Sequence, residues 1–247
     1  VNEWVTTLHA GAGALGLTVS AEQEALFARY LALLLERNAQ INLTAITDPV
    51  EVAAKHFVDA LTVEAVWRPQ PGDAVIDIGT GAGIPGVPLA IRHPEVVFTL
   101  NDSTRKKVAF LDEVSTALPL PNIRPLWARA EALGRRSEYR GRFTAAFARA
   151  VAHLGLLIEY ALPLLAVGGT LIAMKGPAGE EEIAQSAPAL RALHGEIAET
   201  RRLTVAGAGD RLLIMVRARS PAPAIYPRDA GAMKKRPLYL DRPGANP

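Results

Sequence analysis

The stretch VIDIGTGAGIPG, Val75 to Gly86, places four glycines within eight residues, directly after an apolar run. Ala74–Ile78 reads as a buried strand, introduced by the turn Pro69-Gln70-Pro71-Gly72-Asp73. In a parallel α/β sheet, ligands bind outside the carboxyl ends of the strands, and glycine there permits unusual dihedrals and close backbone approach. The run is therefore placed to hold a ligand. A dinucleotide, a phosphate group and S-adenosylmethionine all remain open at this point.

Two registers compete. Gly81-x-Gly83-x-x-Gly86 has dinucleotide-fingerprint spacing, which requires a helix to open within it and present free N–H groups. Pro85 and Pro88 each remove an N–H there, and Pro88 is expected to strain a helix already under way. The other register is Asp77-x-Gly79-x-Gly81-x-Gly83. Asp77 can order the loop through its amides, or sit near the positive end of an amino-acid-bearing cofactor. This register resembles the first motif of S-adenosylmethionine-dependent methyltransferases. Asp102 follows Gly83 by 19 residues, just past the next strand. A carboxylate there can accept both ribose hydroxyls; its competing role is to cap the helix after it, shared with Ser103.

Outward from the glycines, strands and helices alternate. Val96–Leu100, Phe143–Ala148 and Thr170–Met174 read as strands, Thr104–Leu118 and Leu154–Leu165 as helices, and Arg201–Val205 with Leu212–Arg217 as a late hairpin. This implies a mostly parallel sheet covered on both faces. Upstream, Ser20 and Gln23 have capping-box spacing before Leu26, Phe27, Tyr30, Leu31, Leu34 and Leu35. Asp48-Pro49 opens a second helix. Residues 1–19, rich in glycine and alanine, read as weakly ordered. The expected organisation is a helical extension at 1–68, a core at 69–220 and a basic tail at 221–247.

The chain has 247 residues, 49% of them hydrophobic, enough for one sizeable core. No run approaches the roughly 18 apolar residues of a membrane span, and no secretion signal is evident, so a cytoplasmic protein is expected. Absence of cysteine excludes disulfides, thiolate metal sites and a cysteine nucleophile. No histidine pair has metal-ligand spacing, so no metal is expected. Net charge is +2, but residues from Arg201 onward carry ten Lys/Arg against three Asp/Glu. A basic end on an acidic body suits either a polyanionic partner or a solvated tail.

If methyl transfer is the chemistry, the missing cysteine argues against carbon-5 methylation of pyrimidines. Ala148-Arg149-Ala150 stands where exocyclic-amine enzymes often carry an acidic or Asn residue before Pro-Pro-aromatic. A ring nitrogen such as guanine N7 needs neither device, only positioning. Seven segments then occur in one family's order: NAQINLTAITDP (Asn38–Pro49), KHFVDAL (Lys55–Leu61), IDIGTGAGIPGVPLAI (Ile76–Ile91), LNDSTRKKVAFL (Leu100–Leu111), FARA (Phe147–Ala150), AMKG (Ala173–Gly176) and GDRLLIMVR (Gly209–Arg217). Through them the chain resembles the glucose-inhibited division protein B family, the 16S ribosomal RNA guanine-N7 methyltransferases.

That resemblance implies a class I methyltransferase fold: a Rossmann-like, mostly parallel seven-stranded sheet with a helical N-terminal extension. It implies S-adenosyl-L-methionine as cofactor, 16S ribosomal RNA or the small subunit as partner, no membrane, and a monomer. Carried over, the cofactor loop falls on Asp77, Gly79, Gly81 and Ile84, the ribose on Asp102, Ser103 and Thr104, and the adenine region on Ala130 and Glu131. Arg149 closes the site and, with Lys175, is a positioning residue. Because the methylated guanine becomes cationic, Arg149 suits a cofactor or phosphate contact better than the reacting ring. Arg129, Lys175 and Arg211 are candidate RNA or active-site contacts, and Lys234, Lys235 and Arg236 are candidate RNA contacts. His56 and Asp59 read as fixing their helix to the core. Where the family often has a basic-His pair followed by Leu-Asp-Ser, this chain has Lys55-His56 and Val58-Asp59-Ala60; it departs also at Asn101, where an apolar residue is usual, and in the middle of Tyr226–Leu238.

Overall fold

Strand β1 (Ala74–Ile78) is buried along most of its length because it lies inside the sheet. The computed structural model describes residues 2–239. The other strands are β2 (Val97–Asp102), β3 (Ile123–Trp127), β4 (Phe143–Arg149), β5 (Leu165–Lys175), β6 (Gly195–Val205) and β7 (Gly209–Ala218). They form one seven-stranded sheet in the order β3-β2-β1-β4-β5-β7-β6. β7 runs antiparallel to both of its neighbours; the pairs from β3 through β5 are parallel. The chain leaves β1 for β2 and β3 on one side, then returns to β4 on the other. The strand order thus reverses between β1 and β4, which opens a crevice at their carboxyl ends.

Side chains alternate across the sheet as the pleat requires. Val75, Phe98, Leu100, Phe147 and Ile172 join one core cluster; Ile76, Ile78, Ala146, Ala148, Leu171 and Ala173 join the other. The first cluster is roofed by helices that precede the sheet: α1 (Glu3–Ala14), α2 (Ala21–Ile41) and a bent helix made of α3 (Pro49–Val52), a π-helical stretch (Ala53–Val58), α4 (Asp59–Leu61) and a 3-10 turn (Thr62–Ala65). The remaining helices are α5 (Gly86–Arg92), α6 (Arg105–Ala117), α7 (Ala130–Leu133), α8 (Leu154–Ala161), α9 (Gly179–Gln185), α10 (Ala187–Leu193) and α11 (Ala230–Lys235). The capping box at Ser20 forms: its hydroxyl accepts from Gln23 N at 3.2 Å, and Gln23 Oε1 from Ser20 N at 3.1 Å. Asp48 caps α3 through Glu51 N, with Pro49 in the first turn.

Three expectations are corrected. Residues 1–19 are not loose. Trp4, Leu8 and Ala12 recur every four residues and are buried, and Gly11 lets α1 press on Val58, where any Cβ would collide. Glycine there serves close packing. No helix opens within Gly81–Gly86: α5 begins at Gly86, so Pro88 falls in its first turn, where an N–H has no intrahelical partner to lose. β3 escaped detection because Pro125 interrupts it; β3 is an edge strand, where proline is tolerated. β5 and β6 also start earlier than expected, at Leu165 and Gly195.

The C-terminal segment is folded back up to the last described residue. Glu159, buried on α8, accepts from Arg228 Nε at 2.7 Å and Nη2 at 2.6 Å. Arg140 donates to the carbonyls of Ala222, Pro223 and Tyr226. Met233 is buried, and Tyr239 stacks on His153 with centroids 3.8 Å apart. The part of the expected tail beyond residue 239 lies outside the described residues.

Candidate active site

The glycine run leaves β1 and is pinned from three directions. Asp77 Oδ2, fully buried, accepts from Thr80 Oγ1 at 2.6 Å and from Gly86 N at 2.8 Å. A Cβ on Gly86 would sit 2.8 Å from that same oxygen, so only glycine lets the α5 terminus approach Asp77. Tyr30 reaches from α2 to donate to the Ala82 carbonyl at 2.6 Å. Asp102, at the end of β2, accepts from Gly81 N at 3.0 Å through Oδ2 and from Thr104 N at 2.8 Å through Oδ1. Thr104 is itself the residue before α6, so Asp102 joins the loop to the helix start rather than acting as its cap.

Burial is the dominant influence on Asp77 and pushes its carboxyl up to about 6, against the bonds from Thr80 and Gly86 that favour the anion. Asp77 Oδ1 is buried and has no hydrogen-bond partner among the described residues. An ionised oxygen in that state is a strong acceptor waiting for a donor.

Two clefts flank the end of β4. The first, about 130 Å³, is lined by Ile78, Gly79, Asn101, Ser103, Ala128, Arg129, Ala130, Glu131, Val151 and Tyr160. The second, about 390 Å³, is lined by Ile46, Lys55, His56, Asp59, Arg149, Ala150, Met174, Lys175, Gly176 and Arg211. The turn Arg149-Ala150-Val151 divides them. Ala150 has φ 55°, unusual for a residue with a Cβ. Gly79 has φ 67°, and a Cβ there would lie 2.7 Å from the Val151 side chain that rests on it.

In the second cleft Asp59 is the hub. Its Oδ2 accepts from Arg149 Nη1 at 2.7 Å and its Oδ1 from Arg211 Nε at 2.5 Å. Arg149 also donates to the Lys55 carbonyl at 2.9 Å, and its Nη2 lies 3.1 Å from His56 Nδ1, which is itself 3.1 Å from the same carbonyl. The other ring nitrogen, Nε2, shares a hydrogen bond with Thr44 Oγ1 at 2.8 Å. Thr44 is held in turn by Asn38, whose Oδ1 accepts from Thr44 N at 2.8 Å. The π-helical stretch carries Lys55 and His56 to Arg149; π turns often sit at functional sites.

The comparisons bear on this geometry. Residues 23–211 match the model of the family GidB, described as rRNA small subunit methyltransferase G. A ribosomal RNA small subunit methyltransferase G of Pelotomaculum thermopropionicum is 42% identical, over 94% of this chain and 98% of that protein. The protein of the same description from Deinococcus radiodurans is 43% identical, over 94% and 92%. The chain belongs to this family. The family expected from the quoted motifs is thus the family found. Among solved structures, the fibrillarin/Nop5p complex aligns with a TM-score of 0.53 at 15% identity, covering 66% of this chain and 80% of that one. A 16S rRNA (adenine(1408)-N(1))-methyltransferase variant from Catenulisporales acidiphilia aligns with 0.52 at 16%, covering 67% and 92%. Both support the class I methyltransferase fold.

Of the residues carried over from the family, Gly79, Ser103, Ala130 and Glu131 line the smaller cleft. Asp77, Gly81 and Asp102 tie the loop that borders it. Ile84 is buried behind the loop, in the core cluster. Arg149, Lys175 and Arg211 meet in the larger cleft, whereas Arg129 stands at the smaller one. Lys175 is spoken for by Glu182 at 2.7 Å and by the Ala152 carbonyl. Lys234, Lys235 and Arg236 are exposed at the end of α11. His56 and Asp59 do more than fix a helix: they hold both arginines. The Asn-Leu-Thr element was noticed as a family mark, but its work in seating His56 required the contacts. Asn101, polar where an apolar residue is usual, donates to the carbonyls of Leu126 and Ala128 and so stitches β2 to the end of β3.

His56 makes a pH prediction. Burial, then the Arg149 charge, pushes the imidazole down to about 4. Its folded value lies below the unfolded 6.5, so the unfolded state binds the proton more readily in between. Its contribution is complete above about pH 6.5 and is lost as pH falls to about 4, a change of up to about 3 kcal/mol. Asp77, raised to about 6, titrates with the opposite sign. The stability difference between the native chain and His56→Gln cancels the Asp77 contribution. Urea titrations of both should show that difference moving against the native chain as pH drops through this window. Parallel curves would exclude the assignment.

Proposed function

We propose that this chain transfers a methyl group from S-adenosyl-L-methionine to N7 of a guanine in small-subunit (16S) ribosomal RNA, by positioning rather than general-base catalysis. The substrate and cofactor follow from family membership. The observation that carries the positioning mechanism is the state of the acids and bases in the larger cleft. Asp59 is occupied by two arginines, and His56 is neutral with both ring nitrogens engaged. Neither is free to remove a proton, and guanine N7 has none to lose. Four cations, Lys55, Arg149, Lys175 and Arg211, line the cleft; Asp59 pairs with both arginines, Glu51 with Lys55 and Glu182 with Lys175, and the remaining positive balance suits a phosphate-bearing substrate.

The residues present fit the cofactor. Asp77 Oδ1 offers a buried acceptor to an ammonium, and the space over Gly81 is open where a Cβ would stand. Asp102 has used one lone pair on each oxygen, which leaves acceptor capacity for ribose hydroxyls. Ser103, Thr104, Ala130 and Glu131 would bound the nucleoside, and Gly79 and Ile84 the loop. When bound, the sulfonium supplies a methyl group already activated for in-line attack. Arg149, held by Asp59 and His56, fixes the wall between cofactor and base. Arg129, Arg211 and the exposed Lys234, Lys235 and Arg236 face the RNA; Lys175 holds the turn through the Ala152 carbonyl.

Incubation with small ribosomal subunits and isotopically labelled cofactor, followed by nucleoside mass spectrometry, tests the reading. Labelled 7-methylguanosine is expected. Its absence on naked RNA, assembly intermediates and mature subunits alike would defeat the assignment.

A further inference from the structure

Trp127, the last residue of β3, stands out among the three tryptophans. Trp4 and Trp67 are 8% and 7% exposed, whereas Trp127 is 57% exposed. An exposed indole costs solvation, yet this one is held still. Its Nε1 donates to the Ser103 carbonyl at 3.0 Å, and the Arg105 guanidinium lies over the ring, 5.5 Å from its centroid. Its register partner is Asp102, so the ring stands at the carboxyl edge of the sheet. It does not line the smaller cleft, although Ser103, Ala128 and Arg129 do.

The charges beside it are equally unfavourable for the isolated chain. Arg105, Lys106 and Lys107 occupy the first turn of α6, which has no acidic residue. Cations at a helix N-terminus oppose the macrodipole. Lys107 lies 3.8 Å from Asp102; Arg105 and Lys106 are exposed, as is Arg129. A fixed aromatic face bordered by cations is the arrangement with which proteins hold an unpaired base and its phosphates.

We propose that Trp127 is a stacking platform for an unpaired base of the ribosomal RNA next to the methylated guanine, with Arg105, Lys106 and Arg129 contacting the adjoining phosphates. This rests on the RNA-methyltransferase reading above. A base fits better than a protein side chain because the surround is cationic and the anchoring of the ring leaves little to reorganise on binding.

The test uses the full chain with small-subunit RNA. Trp127→Ala should raise KM for RNA about 5- to 100-fold with kcat retained, while calorimetric titration gives an unchanged Kd for S-adenosylmethionine. Trp127→Phe loses the bond to Ser103 but keeps a ring, and should recover most of the loss. RNA should quench the emission of the native chain and not that of Trp127→Phe, whose remaining tryptophans are buried. Arg105→Gln should lessen the salt dependence of RNA binding; Trp127→Ala should not. If Trp127→Phe is as impaired as Trp127→Ala, the Ser103 tether matters and stacking is overturned. If cofactor affinity falls instead, the ring serves the cofactor. If RNA leaves the native fluorescence unchanged and the variants keep the native KM, while a ribosomal protein alters the native emission, the face is a protein contact. Failure of the native chain to methylate any form of the RNA would defeat the parent reading; normal native activity with unaffected Trp127 variants would defeat this inference alone.

Discussion

Asp59→Ala is expected to lower folding stability by about 3 kcal/mol and methyl transfer to small subunits by about 10²-fold. Asp59 is nearly inaccessible and neutralises two guanidinium groups, one at each of its oxygens. Removing it leaves Arg149 and Arg211 as facing cations with nothing between them. Each arginine retains an edge in solvent, which sets the estimate at the lower end of the range for broken buried pairs. The activity loss follows because Arg149 begins the Ala150-Val151 turn that walls off the smaller cleft, and displacement of that turn displaces the reacting partners. Asp59→Asn keeps an oxygen for one arginine and should lie between the two in both measurements. Urea denaturation midpoints together with methyl incorporation check the result. An Asp59→Ala protein with native midpoint and native rate would show that the hub has no such role.

Asp77→Asn is expected to separate stability from binding. Burial raises the Asp77 carboxyl to about 6, a net figure that already includes the bonds from Thr80 and Gly86. At pH 8 the folded protein therefore holds an anion that is less well accommodated than in the unfolded chain. A neutral isostere should gain up to about 3 kcal/mol of stability. The same change turns the partnerless Oδ1 position into an amide donor, or removes its charge, where an ammonium would bond. Affinity for S-adenosylmethionine should fall about 10- to 100-fold, the scale of a lost hydrogen bond to a charged group. Native affinity should itself weaken as pH falls through about 6, while the variant stays flat. Calorimetric titration across that range decides; equal affinity of the two proteins at pH 8 would remove Asp77 from the cofactor site.

Much of the fold was legible because local chemistry and tertiary context agree in it. Ala74–Ile78 is apolar apart from Asp77, as suits an interior strand, and its observed bounds are the expected ones. Ser20 and Gln23, and Asp48 with Pro49, carry their capping chemistry within a few residues. Where the two disagree, the reading failed. Pro125 is unfavourable in a strand unless the strand is at an edge, and edge position is a property of the sheet. Gly11 reads as flexibility until Val58 is placed against it.

The amino-acid sequence alone determined the glycine-rich loop after β1, the acid that ends β2 and, through seven ordered motifs, the family. Each depends on residues close together in the chain, whose spacing is set by backbone geometry. Only the tertiary structure decided what those residues touch. Thr44, His56, Asp59, Arg149 and Arg211 come from four separate parts of the chain, yet they form one hydrogen-bonded series. Their meeting depends on the strand order, which brings the end of β4 beside the π-helical stretch, and on burial, which makes an unshared charge too costly to leave unpaired. Trp127 belongs with them: a tryptophan is an ordinary core residue until the sheet places it at an exposed edge.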